Sequence, residues 1–293
     1  MNDFTIKDLE NLSGIKAHTI RMWEQRYNFL KPQRTCTNIR YYSNEELKIL
    51  LNIALLNKHG FKLCHIDRMQ PEEICQKILL LRDEEAAQEK VVNDLVRQMV
   101  DLDTDTFEAT LTSYIHTHGI EKAIREIVFL FLEKIGILWQ TNHIMPAQEH
   151  FVSNIIRQKL IVAIDTVTPC RENSKKAVLF LPEGEHHELG LLFLSYLLKR
   201  NGIRIIYLGA NVPITDVQNV VEVIKPDIAF IHLTSSCRPH FSLDKLICHI
   251  PFYLGKLPTI ISGHPTQKYC KELPPSICFK KNLTEITEFI AEL

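Results

Sequence analysis

The chain has few of the features that mark a specialised class of protein. No stretch reaches eighteen uninterrupted apolar residues, and the start, MNDFTIKDLE, lacks the apolar core of a secretion signal. The eight cysteines form no C-x-x-C pair, so neither a zinc site nor a disulfide framework is indicated. Free thiols in that number are typical of the reducing cytosol, and we expect a cytoplasmic protein without a membrane anchor.

An excess of charge is also absent. The formal net charge of −1 at pH 7 argues against a protein that binds polyanions over its whole surface, so nucleic-acid contacts would have to come from a local basic patch. What the chain does have is ordinary globular composition, with 45% hydrophobic and 24% charged residues. Its 293 residues are enough for about two or three domains with cores of their own.

Residues 1–72 begin with two short helical patterns on either side of Ser13-Gly14. A glycine between two short helices is typical of a helix-turn-helix. The second pattern directs Ile20 and Trp23 inward and its polar residues outward. A basic, aromatic-flanked segment follows and predicts a hairpin suited to phosphates, with a merely solvated basic surface as the alternative. The residues that we expect to contact DNA are His18, Thr19, Arg21, Met22, Arg26, Arg34, Arg40 and Tyr42.

This segment resembles the MerR family of winged-helix regulators over all of residues 1–70. The family pattern T-I-R-x-[YW]-E is present as Thr19-Ile20-Arg21-Met22-Trp23-Glu24, its leucine–proline step as Leu30-Lys31-Pro32, and its R-x-Y-S as Arg40-Tyr41-Tyr42-Ser43. The resemblance implies dimers that straddle two half-sites of a double-stranded DNA operator, with the recognition helix in the major groove and the wing on the backbone.

Residues 75–168 show no strand patterns. Apolar residues recur there at helical spacing in four segments, which predicts a four-helix bundle. Trp139 ends the third helix, and Glu149-His150 follows in the first turn of the fourth. We expect Glu149 and His150 to face inward, close to Trp139. The alternative is an ordinary core tryptophan with a surface Glu-His pair.

Residues 175–293 alternate short apolar runs with helical patterns, which predicts a flavodoxin-like (Rossmann-like) α/β domain with a parallel sheet. The usual dinucleotide fingerprint, G-x-G-x-x-G, does not follow the first strand. That strand is followed instead by Glu185-x-His187-x-x-Gly190. A carboxylate two residues before an imidazole suits a metal ligand and its orienting group, and Gly190 would let something bulky approach the helix. Capping of the helix by histidines and acids is the alternative interpretation.

The bundle and the α/β segment resemble the CarH-type cobalamin-dependent light-sensing repressors, on the motifs W-x9-E-H and E-x-H-x-x-G. The resemblance implies that Trp139 covers the upper axial group of adenosylcobalamin and that Glu149 and His150 contact that group. His187 would be the cobalt ligand, oriented by Glu185. The positions that line the buried nucleotide tail of the cofactor in this family fall on His232-Leu233-Thr234, with Ser235 next, and on Ser262-Gly263.

The chain departs from the CarH-type pattern at both ends of the expected site. Gln140 replaces the histidine that follows the tryptophan and takes up cobalt after photolysis in the family. His232 replaces the serine of an S-x-L motif, and Ser262 replaces the first glycine of a G-G pair. These changes leave the lower ligand of the expected site complete and degrade the part that would hold the nucleotide tail.

We therefore predict a regulator of transcription, not an enzyme, whose DNA binding is controlled by a cobalamin held between the bundle and the α/β domain. Adenosylcobalamin is the expected form, and a homo-oligomer (dimer or tetramer) is the expected assembly. The first alternative is a MerR-type regulator whose cobalamin fold is vestigial and serves protein interaction or oligomerisation; His232 and Ser262 favour it. The second is an enzyme's corrinoid methyl carrier, against which the N-terminal DNA-binding segment argues.

Overall fold

The structure, a computed structural model, describes residues 4–81, 84–140, 144–168, 174–234 and 242–293, without the side chains of residues 79 and 137–140. The chain divides into two compact units, Met1–Ile156 and Arg157–Leu293, called here the first and the second unit. The DNA-binding segment and most of the helical bundle therefore share one unit. The domain boundaries near residues 72 and 168 stay a prediction.

The first unit opens with a helix-turn-helix. Thr5 caps helix α1 (Ile6–Ser13) in a capping box with Asp8, and helix α2 (Ala17–Arg26) follows. The apolar residues of both helices, Leu9, Leu12, Ile20 and Trp23, are buried. Strands β1 (Gln33–Arg34) and β2 (Arg40–Tyr41) then pair antiparallel and form the predicted wing.

Three helices lead from the wing to the bundle: α3 (Asn44–Lys58), α4 (Leu63–Ile66) and α5 (Pro71–Leu79). Helix α3 is attached to helix α6 (Glu84–Asp101) by ion pairs at both ends. Lys48 Nζ lies 2.8 Å from Asp101 Oδ2, and Lys58 Nζ lies 2.8 Å from both Glu85 Oε1 and Glu89 Oε2. The DNA-binding segment is thus docked on the first helix of the bundle.

The four-helix bundle is confirmed, with one irregular helix. After α6 come α7 (Thr104–His118), a long helical segment, and α10 (Pro146–Thr166). The long segment consists of α8 (Ile120–Lys122), a π-helix (Ala123–Val128) and α9 (Phe129–Gln140). Apolar side chains from α6, α7, the π-helix, α9 and α10 are buried in the bundle: Val96, Phe107, Ile127, Phe131, Val152 and Ile156. The π-helix was not predicted, because the apolar spacing of residues 120–139 also fits a regular α-helix.

The second unit is a five-stranded parallel sheet with helices between its strands. The strands are β3 (Lys176–Pro182), β4 (Arg204–Val212), β5 (Ile228–Leu233), β6 (Thr259–Gly263) and β7 (Ile277–Lys280). The helices are α11 (Leu189–Arg200), α12 (Ile214–Ile224), α13 (Leu243–Leu254), α14 (His264–Gln267) and α15 (Leu283–Ala291). The strand order β4-β3-β5-β6-β7 is the flavodoxin-like order that the sequence predicted.

The flavodoxin-like order determines where a ligand can bind. The direction of winding reverses between β3 and β5, and a crevice forms beyond the carboxyl ends of strands at such a point. The loop that carries Glu185 and His187 leaves β3 at this crevice, while β5 ends there at Leu233. Among the residues described, none of the helices combines the length and the apolar character that a bilayer crossing needs.

Candidate functional site

The outer face of α2 and the wing carry the residues that were predicted to contact DNA. His18, Arg21, Met22 and Arg26 are exposed on α2, and Thr19 is partly buried beside His18. Arg34 is exposed on the wing, where its Nη1 donates to Asn38 Oδ1 at 2.7 Å. Cations on a helix and on an adjoining hairpin are what binding to a major groove and to the flanking phosphates requires.

The prediction that Tyr42 contacts DNA is wrong. Its side chain is fully buried, its backbone pairs with Phe4, and its hydroxyl donates to Glu24 Oε1. Burial, together with the Glu24 carboxylate, raises the pKa of Tyr42. Arg40, two residues before Tyr42 and at the start of β2, is only partly exposed, and its Nε donates to Glu24 Oε2 at 3.1 Å.

Glu24 is the functional residue of this region that sequence reasoning missed. Its side chain is 7% exposed and accepts hydrogen bonds from Arg40 Nε and from the Tyr42 hydroxyl. Glu24 therefore connects the wing to the recognition helix α2. Its place at the end of the motif that begins at Thr19 was the available signal. The wing is thereby held in a set position relative to the helix that would read the bases.

At the end of the bundle, the prediction that Glu149 and His150 face inward is wrong. His150 is 73% exposed, and Glu149 is partly exposed, with its Oε1 accepting from Ser153 Oγ at 2.8 Å. The inward position belongs to Gln148, which is fully buried and donates to the Val100 carbonyl at 2.9 Å. Successive helical residues are rotated by about 100°, so a buried Gln148 turns His150 outward.

Trp139 and Gln140 lie at the end of α9, and their side chains are outside the described part of the structure, as is the whole of His143. The nearness of Trp139 to the Glu149-His150 pair therefore stays a prediction. So does the role of these three residues toward an upper axial group.

The loop after β3 holds a carboxylate and an imidazole in one arrangement. Glu185 is 3% exposed, and its Oε1 accepts from the backbone N–H groups of His186 and His187 at 2.9 and 3.0 Å. The same oxygen lies 2.7 Å from Nδ1 of His187, whose side chain is 45% exposed. A proton shared on the Nδ1 side leaves the lone pair of Nε2 free for a metal.

Residues far along the chain brace this loop. Asn211 at the end of β4, with a positive φ of 59°, donates its backbone N–H to the Glu185 carbonyl at 3.0 Å and accepts from the Gly184 N–H at 2.8 Å. Glu188 accepts from the Tyr207 hydroxyl at 3.1 Å and lies 3.3 Å from Arg157 Nη2. Sequence reasoning missed all of these, because nothing in a local pattern links strand β4 or helix α10 to the loop after β3.

At the first of the positions expected to line a nucleotide tail, a large side chain packs on the backbone of α11. The ring of His232 lies against Gly190, where an added Cβ would come within 2.2 Å of His232 Cδ2. His232 Nδ1 is hydrogen-bonded to the buried Ser262 Oγ at 2.9 Å. Burial lowers the pKa of His232 to about 4, against the opposing effect of Glu185, so the ring is neutral at pH 7. Thr234 is exposed, and Ser235 lies outside the described residues.

The lower end of the site fits a corrinoid, and the tail end does not. Among the described residues, no group of three or more His, Cys, Asp or Glu side chains could hold a metal ion. The single imidazole of His187 suits an axial position of a metal that is also held by a chelating ring such as a corrin. Gly263 has a φ of 107°, and a Cβ there would lie 1.9 Å from the Leu233 carbonyl, so this glycine serves close packing of two strand ends.

Comparison with known proteins identifies the class. Residues 4–73 match the model of the MerR HTH family regulatory protein, and residues 91–163 match the model of a B12 binding domain. The chain joins a MerR-type DNA-binding region to a B12-binding region and is a cobalamin-responsive, DNA-binding regulator.

Two curated relatives from Myxococcus xanthus match most of the chain. The HTH-type transcriptional repressor CarA is 27% identical over 92% of this chain and 89% of its own length. The HTH-type transcriptional repressor CarH is 25% identical over 80% of this chain and 79% of its own length. The solved monomethylamine corrinoid protein of Methanosarcina barkeri is similar in fold, with a TM-score of 0.56 at 14% identity over 70% of this chain and 99% of that one.

Proposed function

We propose that this regulator represses transcription as a homo-oligomer and that adenosylcobalamin is the form of the cofactor to which it responds. The observation that carries the proposal is the Glu185–His187 pair at the crevice of a flavodoxin-like sheet, on a chain that starts with a MerR-type DNA-binding region. The two curated relatives, both transcriptional repressors, support the output.

On the DNA side, helix α2 would enter the major groove with His18, Arg21, Met22 and Arg26, and Arg34 of the wing would contact the backbone. The exposure of these side chains supports this role. Glu24 would act indirectly, since it holds Arg40 and therefore the wing in register with α2. Two copies related by a two-fold axis would then read two half-sites.

On the cofactor side, His187 would bind cobalt through Nε2 and Glu185 would orient the ring through Nδ1. A bound adenosylcobalamin would supply a cobalt–carbon bond whose breakage can serve as a signal. The chain's own contribution is to hold His187 in one orientation, through the buried Glu185 carboxylate and the Asn211 brace. Acceptors of this kind also make a ligating imidazole more basic.

The test is His187→Ala, with His186→Ala as the matched control, because His186 is exposed and contributes only its backbone N–H to Glu185. Full-length protein is titrated in the dark with adenosylcobalamin and followed by absorbance. We expect His187→Ala to abolish the imidazole-ligated, base-off spectrum and His186→Ala to retain it. Operator binding is then measured with and without the cofactor. An unchanged spectrum in His187→Ala would remove His187 as the ligand.

One observation favours a second function, in which the cobalamin fold is vestigial and the second unit is an interaction or oligomerisation module. That observation is the His232 ring, which fills the space against Gly190. A purified protein that stays colourless with excess corrinoid, yet still binds DNA and forms oligomers, would establish this alternative. A methyl carrier is the weaker rival, since residues 4–73 match a DNA-binding family.

A further inference from the structure

The crevice between β3 and β5 contains an imidazole that the cobalt site does not use. His232 is near the end of β5, and its Cδ2 and Nε2 would lie 2.2 and 2.4 Å from a Cβ placed on Gly190 at the start of α11. The ring therefore rests directly on bare backbone. A hydrogen bond of 2.9 Å to Ser262 Oγ, which itself donates to the Ile231 carbonyl at 3.4 Å, holds the ring there.

The chemistry of a corrinoid indicates what this ring would obstruct. In cobalamin the lower base is tethered, through a nucleotide, to the same face of the corrin that a protein imidazole approaches. When His187 takes the lower position, the displaced base and its tether would leave the corrin on the face that His187 approaches. The crevice at the reversal of strand order is the concave place next to the loop after β3. His232 and Gly190 line that crevice.

We propose that His232 determines which corrinoids this protein prefers: corrinoids without a nucleotide tail bind well, and tailed cobalamin binds more weakly because its tail must displace the ring. The inference rests on the proposed function, since it assumes that His187 binds cobalt. It adds to that function a ranking of corrinoids, in which adenosylcobalamin is one of the tailed ligands that must displace the ring. Displacement of the ring breaks the bond to Ser262, whose side chain is buried and would lose its partner at Nδ1.

The test compares two corrinoids on full-length protein in the dark: hydroxocobalamin, which has the tail, and aquocobinamide, which lacks it. Dissociation constants are measured by absorbance titration and equilibrium dialysis. We expect the wild type to prefer aquocobinamide by about tenfold or more. Cobalamin binding is also disfavoured because its own base must leave cobalt, so the preference of the wild type does not by itself implicate His232. The His232→Ser variant separates the two causes, because it changes only the ring. It should tighten hydroxocobalamin binding by about tenfold and leave aquocobinamide binding unchanged.

Two further variants complete the experiment, one as a substitute for His232→Ser and one as a control. His232→Ala removes the ring without needing a bond to Ser262, so it serves if the serine variant folds poorly. His249→Ser is the matched control, because His249 is exposed on α13 in the same unit, and it should change neither constant.

The outcomes separate this inference from the function on which it rests. Equal affinity of the wild type for both corrinoids, or an unchanged preference in His232→Ser and His232→Ala, overturns the role of His232 and leaves the cobalamin-binding proposal standing. Absence of binding of both corrinoids to the wild type and to both variants overturns the two together. Binding of cobalamin only after His232 is replaced supports the inference in its strongest form.

Discussion

His187 and His232 are two imidazoles at one crevice whose surroundings give them opposite properties. His187 is nearly half exposed, and its Nδ1 is held by Glu185, so its outer nitrogen is available. His232 is partly buried, packed on Gly190 and bonded to Ser262 through Nδ1. Residue type alone does not distinguish a ligand from a space-filling ring; burial and the partner of Nδ1 do.

Buried neutral His232 predicts a specific loss of stability in acid. The pKa of His232 is lowered from 6.5 to about 4 by burial, so the unfolded chain takes up this proton first as the pH falls. Wild-type stability relative to His232→Gln should therefore be constant above pH 6.5 and fall between about pH 6.5 and 4. Melting temperatures at several pH values measure the difference. The exposed His116, replaced by Gln, is the control, and a pH-independent difference for His232→Gln would refute the prediction.

Removal of the Glu185 side chain should weaken corrinoid binding less than removal of the His187 ring. Glu185→Ala takes away the acceptor at Nδ1 and should cost about 10–100-fold in affinity. Glu185→Gln keeps an oxygen that can accept from His187 and from the two backbone N–H groups, so its loss should be smaller. Absorbance titration ranks the three variants. If Glu185→Gln were as damaging as His187→Ala, the carboxylate's charge would have a larger role than orientation.

At the scale of elements, the recognition helix and the wing are joined through Glu24. Replacing an exposed cation of this region should therefore have a different effect from replacing a cation that pairs with Glu24. Arg21 is exposed on α2, whereas Arg40 is paired with the buried Glu24 carboxylate. One is expected to act through DNA contact and the other through the position of the wing.

Arg21→Ala should weaken operator binding and lower the slope of log affinity against log salt by about one, without a change in melting temperature. Without this phosphate contact, about one counterion fewer is released from the DNA when the protein binds. Affinity is measured by fluorescence anisotropy at several salt concentrations. Lys77→Ala, a loss of an exposed cation on α5, is the matched control. An unchanged slope in Arg21→Ala would show that this face of α2 does not contact the backbone.

Arg40→Ala should instead lower the melting temperature, because the largely buried Glu24 carboxylate would keep only the Tyr42 hydroxyl as a partner among the described residues. Loss of one partner of such a group costs about 1–3 kcal/mol. Calorimetry of wild type, Arg40→Ala and Arg21→Ala compares the two roles. Equal melting temperatures for all three would mean that the wing is not anchored through Glu24.

At the scale of the whole molecule, we expect DNA binding to respond to the cofactor through the assembly state of the full chain. The DNA-binding segment is docked on α6 through Lys48 and Lys58, and it shares one compact unit with most of the bundle. A ligand that favours one assembly state of the full chain shifts DNA binding only by its difference in affinity between the states. Analytical ultracentrifugation with and without corrinoid measures the shift between assembly states.

Illumination should release the corrinoid from this protein. In the CarH-type proteins that the chain resembles, a histidine follows the tryptophan; here Gln140 offers only an amide, a poor ligand for a transition metal beside imidazole. Protein loaded with adenosylcobalamin in the dark is exposed to green light and filtered, and free corrinoid is measured by absorbance. Gln140→His should slow the release. A stable bis-imidazole spectrum in the unaltered protein, lost on His143→Ala or His150→Ala, would contradict this prediction and identify the substitute.

The sequence alone was sufficient for features that depend on near neighbours along the chain. Helical and strand periodicity predicted the helix-turn-helix, the four-helix bundle and the five strands, because the spacing of apolar residues shows which face of an element is buried. The wing was predicted from its basic, aromatic-flanked segment and from the resemblance to the MerR family. The Glu185–His187 pair was also predictable, because two residues in one short loop are brought together by local geometry, whatever the rest of the fold does.

The tertiary structure decided every feature that joins distant segments. Only the packed chain places His232 on Gly190, Gln148 on the end of α6, Tyr42 inside the winged helix and Asn211 against the loop after β3. Such contacts depend on which strands become neighbours and on which residue occupies each buried position. A pattern of residue types does not predict which side chain is buried, since several side chains satisfy the same spacing and only close packing selects one of them.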